Sequence, residues 1–264
     1  AAGGTLSIQA ANFTNTGILA VNSGILQVTS NLTTSAANLL ITGGTLKIGA
    51  AAGAGAGKTV LRIDGPLTIT GGGAVDLGNN QLIVDYDPAA ASPIASIRAA
   101  LESGYAGGSW NGPGIASAGI AAGRSLGYAE AAEALGAAGG NFAGQSVDGS
   151  AVLVRYTLTG DANLDGVVDF LDLARLAQSY NVTDGKQQWS SGDNNYDGNV
   201  DFLDLAALAQ NYNTGLPSAS LPGAASAEFE ADLARAFANV PEPTGLLAFV
   251  ALSMLTWRSR RRLS

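Results

Sequence analysis

The sequence predicts a mainly β fold whose N-terminal region, residues 1–87, is a parallel β-helix, or β-solenoid. A small all-α module of two loop–helix repeats follows, and a short hydrophobic helix ends the chain. Three observations predict this class. Gly supplies 36 of the 264 residues and charged residues only 13%, a balance that favours repetitive β structure over a helical enzyme. Short apolar alternations fill the first third of the chain, and one 22-residue segment occurs twice.

The N-terminal region repeats the pattern Leu-x-Ile or Leu-x-Val, which has the period of a half-buried strand. The pairs are Leu6/Ile8, Leu19/Val21, Leu26/Val28, Leu39/Ile41, Leu46/Ile48, Leu61/Ile63, Leu67/Ile69, Val75/Leu77 and Leu82/Val84. Most second neighbours are about 20 residues apart, roughly one β-helix coil with two strands. Stacked coils would bury the apolar face that a single coil exposes. The segment resembles the autotransporter-associated repeats of bacterial surface proteins, which implies a β-solenoid.

Residues 88–158 are predicted to form a Gly/Ala-rich cap, with short helices and a strand, over the open edge of the solenoid. Ser92 is predicted to cap the first helix, and a second helix is predicted over residues 128–135. The strand is predicted over Ala151–Leu158. Trp110 lies in a Gly-rich loop, where it can either anchor the loop in the core or stack on a sugar ring; the buried anchor is the favoured interpretation.

The chain contains no Cys and no His, which excludes disulfides, zinc–thiolate sites and imidazole catalysis. Glu130 and Glu133 lie three positions apart in a predicted helix, the spacing of an ordinary solvated pair. Glycoside hydrolysis needs two carboxylates that face each other across a sugar cleft. We therefore expect no enzymatic activity from these residues.

The duplicated segment covers residues 160–181 and recurs 32 residues later at 192–213, with 17 of 22 positions identical. Each copy has oxygen-bearing side chains at loop positions 1, 3, 5, 9 and 12 and a glycine at position 6 (Gly166 and Gly198). A loop of this pattern wraps Ca²⁺ with oxygen ligands, the seventh position contributing its backbone carbonyl. The first loop's predicted ligands are Asp161, Asn163, Asp165, Val167, Asp169 and Asp172. The second loop's predicted ligands are Asp193, Asn195, Asp197, Asn199, Asp201 and Asp204.

The negative charge of the chain is concentrated in these loops. Residues 161–204 contain nine Asp against two basic residues, Arg175 and Lys186, whereas the whole chain has a net charge of −8. Two bound Ca²⁺ would remove most of this excess, so we expect calcium binding to be coupled to folding. No basic surface for nucleic acid is predicted.

A predicted helix follows each loop, no comparable helix precedes either one, and position 12 is Asp rather than Glu. Residues 159–214 resemble the type I dockerin domain of cellulosome systems, which implies two Ca²⁺ and docking to a cohesin domain on another protein. The resemblance assigns loop positions 10 and 11 to partner contact. These positions hold Phe170, Leu171, Phe202 and Leu203.

Small hydroxyl residues are frequent at these two positions in the family, so the resemblance does not identify the partner. Because the two copies agree there, we expect the module to bind in either of two rotated orientations. The alternative interpretation is that calcium only folds the module and nothing docks to it.

The C-terminal part is predicted to hold a linker and short helix over residues 215–239 and a sorting signal over 240–264. The signal combines a Pro-Glu-Pro motif, an apolar run at 245–257 and an Arg cluster. Its motif residues are Pro241, Glu242, Pro243, Arg258, Arg260, Arg261 and Arg262. The apolar run is shorter than the roughly 20 residues of a stable membrane-spanning helix. The three parts resemble a PEP-CTERM signal, which implies export, recognition by a membrane exosortase and removal of the tail; a plain tail anchor is the alternative.

Together these features predict a calcium-binding, exported scaffold or adhesion protein of the cell surface that docks to a cohesin-like partner. The chain begins at Ala1 without Met, so we expect a processed form or a fragment. The alternative is therefore an accessory protein or fragment of a polysaccharide-degrading enzyme whose catalytic domain lies upstream. A third possibility is that the solenoid itself binds polysaccharide.

Overall fold

A computed structural model describes residues 4–10, 12–49, 59–216 and 227–238. The strands in these residues are β1 (Thr5–Ile8), β2 (Asn12–Asn15), β3 (Leu19–Val21), β4 (Ile25–Val28), β5 (Asn31–Ser35), β6 (Leu39–Ile41), β7 (Thr45–Ile48), β8 (Val60–Asp64), β9 (Ala74–Asp76), β10 (Gln81–Asp85), β11 (Gly114–Ala116), β12 (Arg124–Glu130), β13 (Gly140–Phe142), β14 (Gln145–Val147), β15 (Ala151–Leu158), β16 (Val167–Val168) and β17 (Thr214–Gly215). The α-helices are α1 (Ile94–Tyr105), α2 (Ala131–Ala134), α3 (Phe170–Ser179), α4 (Phe202–Ala209) and α5 (Ala227–Ala238).

The apolar repeats form a five-stranded parallel sheet in the order β1-β4-β7-β9-β11. Its register pairs Leu6 with Leu26, Leu26 with Leu46, and Leu46 with Val75. The last three of these side chains are buried because the neighbouring strands bring identical positions into one row, whereas Leu6, on the terminal strand, is 66% exposed. The 20-residue spacing of the apolar pairs therefore predicted the register of β1, β4 and β7, but the expected pairing of Leu46 with Leu67 is wrong, because Val75 of β9 lies there instead.

The second sheet has six strands in the order β12-β15-β10-β8-β5-β2, and it is mixed. Strands β2, β5, β8 and β10 pair in parallel. Strand β15 then runs antiparallel to both β10 and β12. Strands β3 and β6 form a separate parallel pair. The long pairing of β12 with β15 extends the second sheet by two strands and covers the edge of β10.

The predicted mainly β class with a closed solenoid is wrong. The described residues have a mixed α/β architecture in which the strands form open parallel and mixed sheets and no closed solenoid. The physical reason lies after Asp85, where the coil repeat stops. Helix α1 and a Gly-rich loop separate β10 from β11, and β15 returns antiparallel instead of adding another parallel turn.

The middle region keeps two of its three predicted elements. Helix α1 begins next to the predicted start and buries Ile97 and Leu101, and β15 occupies the residues predicted for a strand. The helix predicted over 128–135 is wrong in its first half. Tyr128 lies in β12, where pairing with β15 buries its ring, and only Ala131–Ala134 is helical.

The calcium-loop module is not all-α as predicted. Strands β16 and β17 form an antiparallel pair, and an isolated bridge joins Val182 to Val200. The module has its own apolar core between α3, α4 and α5. Three of its side chains also enter the main core beneath the sheets: Leu164, Trp189 and Tyr196.

The predicted sorting signal at 240–264 lies outside the described residues, as do parts of the predicted linker and of the 1–87 repeats. No helix in the described ranges is long and apolar enough to cross a membrane.

Candidate metal centre and docking surface

Each calcium loop runs directly into a helix through a matching pair of carboxylates. Asp169 accepts a hydrogen bond from the Leu171 amide at 2.8 Å, and Asp172 accepts one from the Asp169 amide at 2.9 Å. This reciprocal arrangement is a capping box, which satisfies amides at the start of α3 that have no partner inside the helix. Asp201 and Asp204 form the same capping box on α4. Loop positions 9 and 12 therefore also fix where each helix begins.

Backbone amides hold the remaining acidic groups of the first loop in place. Asp161 accepts hydrogen bonds from the amides of Asp165 and Gly166 at 3.1 and 3.0 Å. Asp172, at the end of the loop, accepts one from the Asn163 amide at 3.1 Å. Asn163 accepts in turn from the Asp165 amide at 2.8 Å, and Asp165 accepts from the Val167 amide at 2.8 Å. The loop is thus wound around its own oxygen-bearing side chains.

The second loop repeats most of this network. Asp193 accepts from the Gly198 amide at 3.0 Å, and Asp204 accepts from the Asn194 amide at 2.8 Å. Two shorter turns complete it, since Asn195 accepts from the Asp197 amide at 2.9 Å and Asp197 accepts from the Asn199 amide at 2.8 Å. The structure therefore brings the predicted ligand positions of each loop into equivalent surroundings.

Glycine at position 6 is required by the backbone. Gly166 has a φ of +92° and Gly198 a φ of +82°, in the region that side chains with a Cβ atom disfavour. A Cβ atom on Gly198 would also lie 2.5 Å from the carbonyl oxygen of Gly185. Both the turn and the close approach of the neighbouring segment depend on the absence of a side chain there.

The first and last carboxylates of each loop are buried, although backbone amides donate hydrogen bonds to each of them. Their side chains belong to Asp161, Asp172, Asp193 and Asp204, each at most 1% exposed. Burial raises the pKa of Asp161 and Asp204 to about 6 and that of Asp172 and Asp193 to about 7. One oxygen of Asp193, Oδ1, is buried without a hydrogen-bond partner in the described structure. A buried carboxylate in its charged form is stabilised when a cation lies beside it.

The donor set fits Ca²⁺, because every predicted ligand is an oxygen and none is nitrogen or sulfur. The described residues contain no compact group of three or more acidic or imidazole side chains that would mark a metal cluster by itself. Each predicted ligand set also includes an Asn amide and a backbone carbonyl. Close approach of the carboxylates is also opposed by their mutual repulsion.

Two arginines that the sequence did not single out lie against these loops. Arg98 of α1 places its Nη2 atom 3.8 Å from Oδ2 of Asp193, the first ligand position of the second loop. Arg155 of β15 donates to the carbonyl oxygen of Leu164 in the first loop. Arg98 precedes its loop by more than ninety residues, so no local spacing could reveal the contact.

Position 4 distinguishes the two loops most strongly. The first loop has Leu164 there, whereas the second has Tyr196, whose side chain is buried among four aromatic rings of the main core. Trp189, just before the second loop, donates from Nε1 to the carbonyl oxygen of Asp161 at 2.6 Å. The indole thereby links the two loops. An aromatic residue at a normally variable loop position was the one sequence signal for this anchor.

The predicted partner contacts lie at the starts of the two helices. Leu171, Phe202 and Leu203 are large apolar side chains with exposed fractions of 58%, 67% and 63%. Phe170 is only half-buried by comparison, and the guanidinium carbon of Arg235 lies 4.7 Å from its ring centroid. Exposed apolar side chains of this size are typical of a surface that contacts another protein.

Two capped helices, each preceded by an oxygen-lined loop with glycine at its turn, have the arrangement of an EF-hand-like calcium module, and exposed apolar side chains lie at the helix starts. Residues 159–213 match the type I dockerin domain family. Type I dockerin domains bind calcium and dock to cohesin partners, and they occur in extracellular or cell-surface proteins. No curated protein and no solved structure is significantly similar to the chain.

Proposed function

We propose that the protein is an exported, calcium-binding scaffold or adhesion protein that docks to a cohesin domain of another protein. The observation that carries this proposal is the position of Phe202 and Leu203. They are exposed at the first turn of α4, directly after the carboxylate-lined loop whose Asp201 caps the helix. Folding of the loop and presentation of these side chains therefore depend on the same few hydrogen bonds.

We further propose that the module holds two Ca²⁺, one in each loop, through the twelve predicted ligand positions. Bound Ca²⁺ would supply positive charge that neutralises buried carboxylates and joins the two ends of a loop. The hydrogen bonds to Asp161 and Asp193 hold the first ligand position of each loop close to its sixth residue. The chain thus orders both loops so that little rearrangement is needed on binding.

The test uses the whole chain and a set of purified cohesin domains, with binding measured by calorimetry in calcium and again in EDTA. Asp161→Asn with Asp193→Asn keeps the side-chain shapes and removes two charges. The control combines Asp148→Asn and Asp184→Asn, two exposed aspartates outside the ligand positions. We expect binding in calcium for the wild type and the control variant, and loss of binding in EDTA or in the loop variant.

Calcium binding by the wild-type chain without any cohesin binding would reject the docking function and favour a purely structural role for calcium. Binding of fewer than two Ca²⁺ would reject the two-site proposal while leaving docking open to test. Equal loss in the control and loop variants would show that net charge, rather than the loops, controls the interaction.

We also propose that the chain reaches the surface through its C-terminal signal, residues 240–264, and that an exosortase recognises this signal and removes it. The combination of Pro241–Pro243, the apolar run and the Arg cluster supports the proposal. The mass of the mature protein tests it. Expression of the Glu242→Ala variant in the native host should leave the tail attached, whereas an unprocessed wild-type protein would reject removal.

For the N-terminal region we propose a non-catalytic role in which it binds polysaccharide. A cleft of about 550 Å³ between α1 and the segment before β9 is lined by apolar, glycine and hydroxyl residues, the last including Thr68, Thr70 and Ser103. Glu130 accepts a hydrogen bond from the Tyr86 hydroxyl at 3.0 Å, which supports a structural use of this carboxylate. Flow-through of the chain on polysaccharide columns would reject glycan binding, and release of sugars would reject the non-catalytic role.

A further inference from the structure

The two repeats are almost identical in sequence but differ in what covers them. Phe170 and Phe202 occupy the same position at the start of α3 and α4. Phe202 is 67% exposed, whereas Phe170 is half-buried. Because the surrounding sequence is shared, the difference comes from a third element that reaches only one of the two positions.

That element is α5, which lies against α3. The guanidinium of Arg235 sits over the ring of Phe170 at 4.7 Å, a distance at which a cation is attracted to an aromatic face. Two residues further along α5, Phe237 meets the ring of Tyr180 edge-on with the centroids 4.9 Å apart. Both ends of α3 are therefore in contact with α5.

The other end of α5 is tied to the segment that follows α4. Phe229 is 5% exposed and packs edge-on against Tyr212 at 4.9 Å. The Tyr212 hydroxyl donates to Asp232 at 2.7 Å, and the Asn213 side chain donates to Glu228 at 3.1 Å. These contacts fix the direction of α5, so that it runs along the first repeat and leaves the helix start of the second repeat exposed.

We propose that α5 masks the first repeat and restricts the module to one docking orientation, in which Phe202 and Leu203 contact the partner. This inference rests on the proposed docking function. A module of two matching repeats would otherwise present the same apolar pair twice and bind in two rotated orientations. Engaging Phe170 requires Arg235 to leave its ring, whereas Phe202 is already free to be covered.

The first experiment measures the mask without a partner. The chain has no Cys, so Phe170→Cys and Phe202→Cys each introduce a unique thiol. We expect a maleimide to label the thiol at 202 at least tenfold faster than the thiol at 170. Adding Arg235→Ala with Phe237→Ala should remove most of that difference, while Ala231→Gln, an exposed change on α5, should not. Equal labelling rates of Phe170→Cys and Phe202→Cys, without any change in α5, would overturn the proposal that α5 masks the first repeat.

The second experiment measures orientation with a cohesin domain that binds the wild type. Phe202→Ala should weaken binding at least tenfold, and Phe170→Ala less than threefold. In the chain that carries Arg235→Ala and Phe237→Ala, the loss caused by Phe202→Ala should shrink because the first repeat becomes available. Equal losses from the two Phe variants would overturn the single orientation. If the wild type binds no cohesin, the docking function fails and the single orientation with it; the labelling rates still decide whether α5 covers the first repeat.

Discussion

The hydroxyl of Tyr196 donates a hydrogen bond of 2.6 Å to the carbonyl oxygen of Leu126. Tyr196 belongs to the second calcium loop and Leu126 to β12, the edge strand of the six-stranded sheet. The ring of Tyr196 lies 5.0 to 5.7 Å from those of Tyr105, Trp110 and Trp189. The loop and the N-terminal sheets therefore share one core, and a substitution in either should change the stability of both.

Removal of the Tyr196 hydroxyl tests this shared core. Tyr196→Phe keeps the ring but leaves the buried Leu126 carbonyl without its donor, which should lower the free energy of unfolding by about 1–2 kcal/mol. Denaturant unfolding followed by circular dichroism measures the change. Tyr180→Phe, a half-buried tyrosine of the same module, is the control and should have a smaller effect. Equal losses in the two variants would show that the bond to β12 contributes nothing specific.

Gly198→Ala separates backbone strain from steric conflict. Gly198 and Gly144 have the same φ of +82°, but a Cβ atom on Gly198 meets the Gly185 carbonyl oxygen at 2.5 Å, whereas one on Gly144 meets nothing within 4 Å. We expect Gly144→Ala to cost about 1 kcal/mol of stability from strain alone. Gly198→Ala should cost clearly more and weaken calcium binding. Similar losses at both positions would mean that the close approach of Gly185 is easily relieved.

Arg98→Gln should strengthen calcium binding at the second loop. The Arg98 guanidinium lies 3.8 Å from Asp193 and competes there with an incoming cation. Removing its charge should raise the affinity of one of the two sites by roughly fivefold at low salt, and by less at high salt. Calcium titration by calorimetry measures this. Lys186→Gln makes the same change of net charge at an exposed position of the same module, so an equal gain there would attribute the effect to overall charge.

The buried carboxylates predict opposite pH dependences with and without calcium. In EDTA, the folded pKa values of about 6 for Asp161 and about 7 for Asp172 lie above the ordinary value of 3.8. The folded state then binds more protons than the unfolded state between pH 4 and 7, so stability should fall as the pH rises through that window. Calcium binds the charged forms, so its affinity should instead rise over the same window.

Thermal melts at pH 5 and pH 7.5, each in EDTA and in calcium, measure both trends. We expect the higher melting temperature at pH 5 in EDTA and the larger calcium-induced rise at pH 7.5. A melting temperature in EDTA that increases steadily with pH would contradict the raised pKa values of these buried carboxylates. Asp184→Asn, at an exposed position, should leave both trends unchanged.

The elements that were predicted from the sequence are those whose cause is local. Contiguous spacing places oxygen groups and glycine in each loop, and the following apolar stripe forms one helix, so the type I dockerin domain was predicted at nearly the residues where it is found. Strand β15 was predicted because its run of apolar residues has no turn signal. The helix over 128–135 was wrong in its first half because Tyr128, a residue type enriched in strands, pairs with β15, and only Ala131–Ala134 is helical.

The sequence by itself determined the calcium-loop pattern, the two helices that follow it and the register of β1, β4 and β7, because each depends on residues a short or fixed distance apart. The tertiary structure alone decided that the sheets stay open, that Tyr196 enters the main core, and that α5 covers Phe170 but not Phe202. These outcomes depend on which distant segments meet. Phe170 and Phe202 occupy matching positions in matching local sequence, so their different exposure arises only when the rest of the chain packs around them.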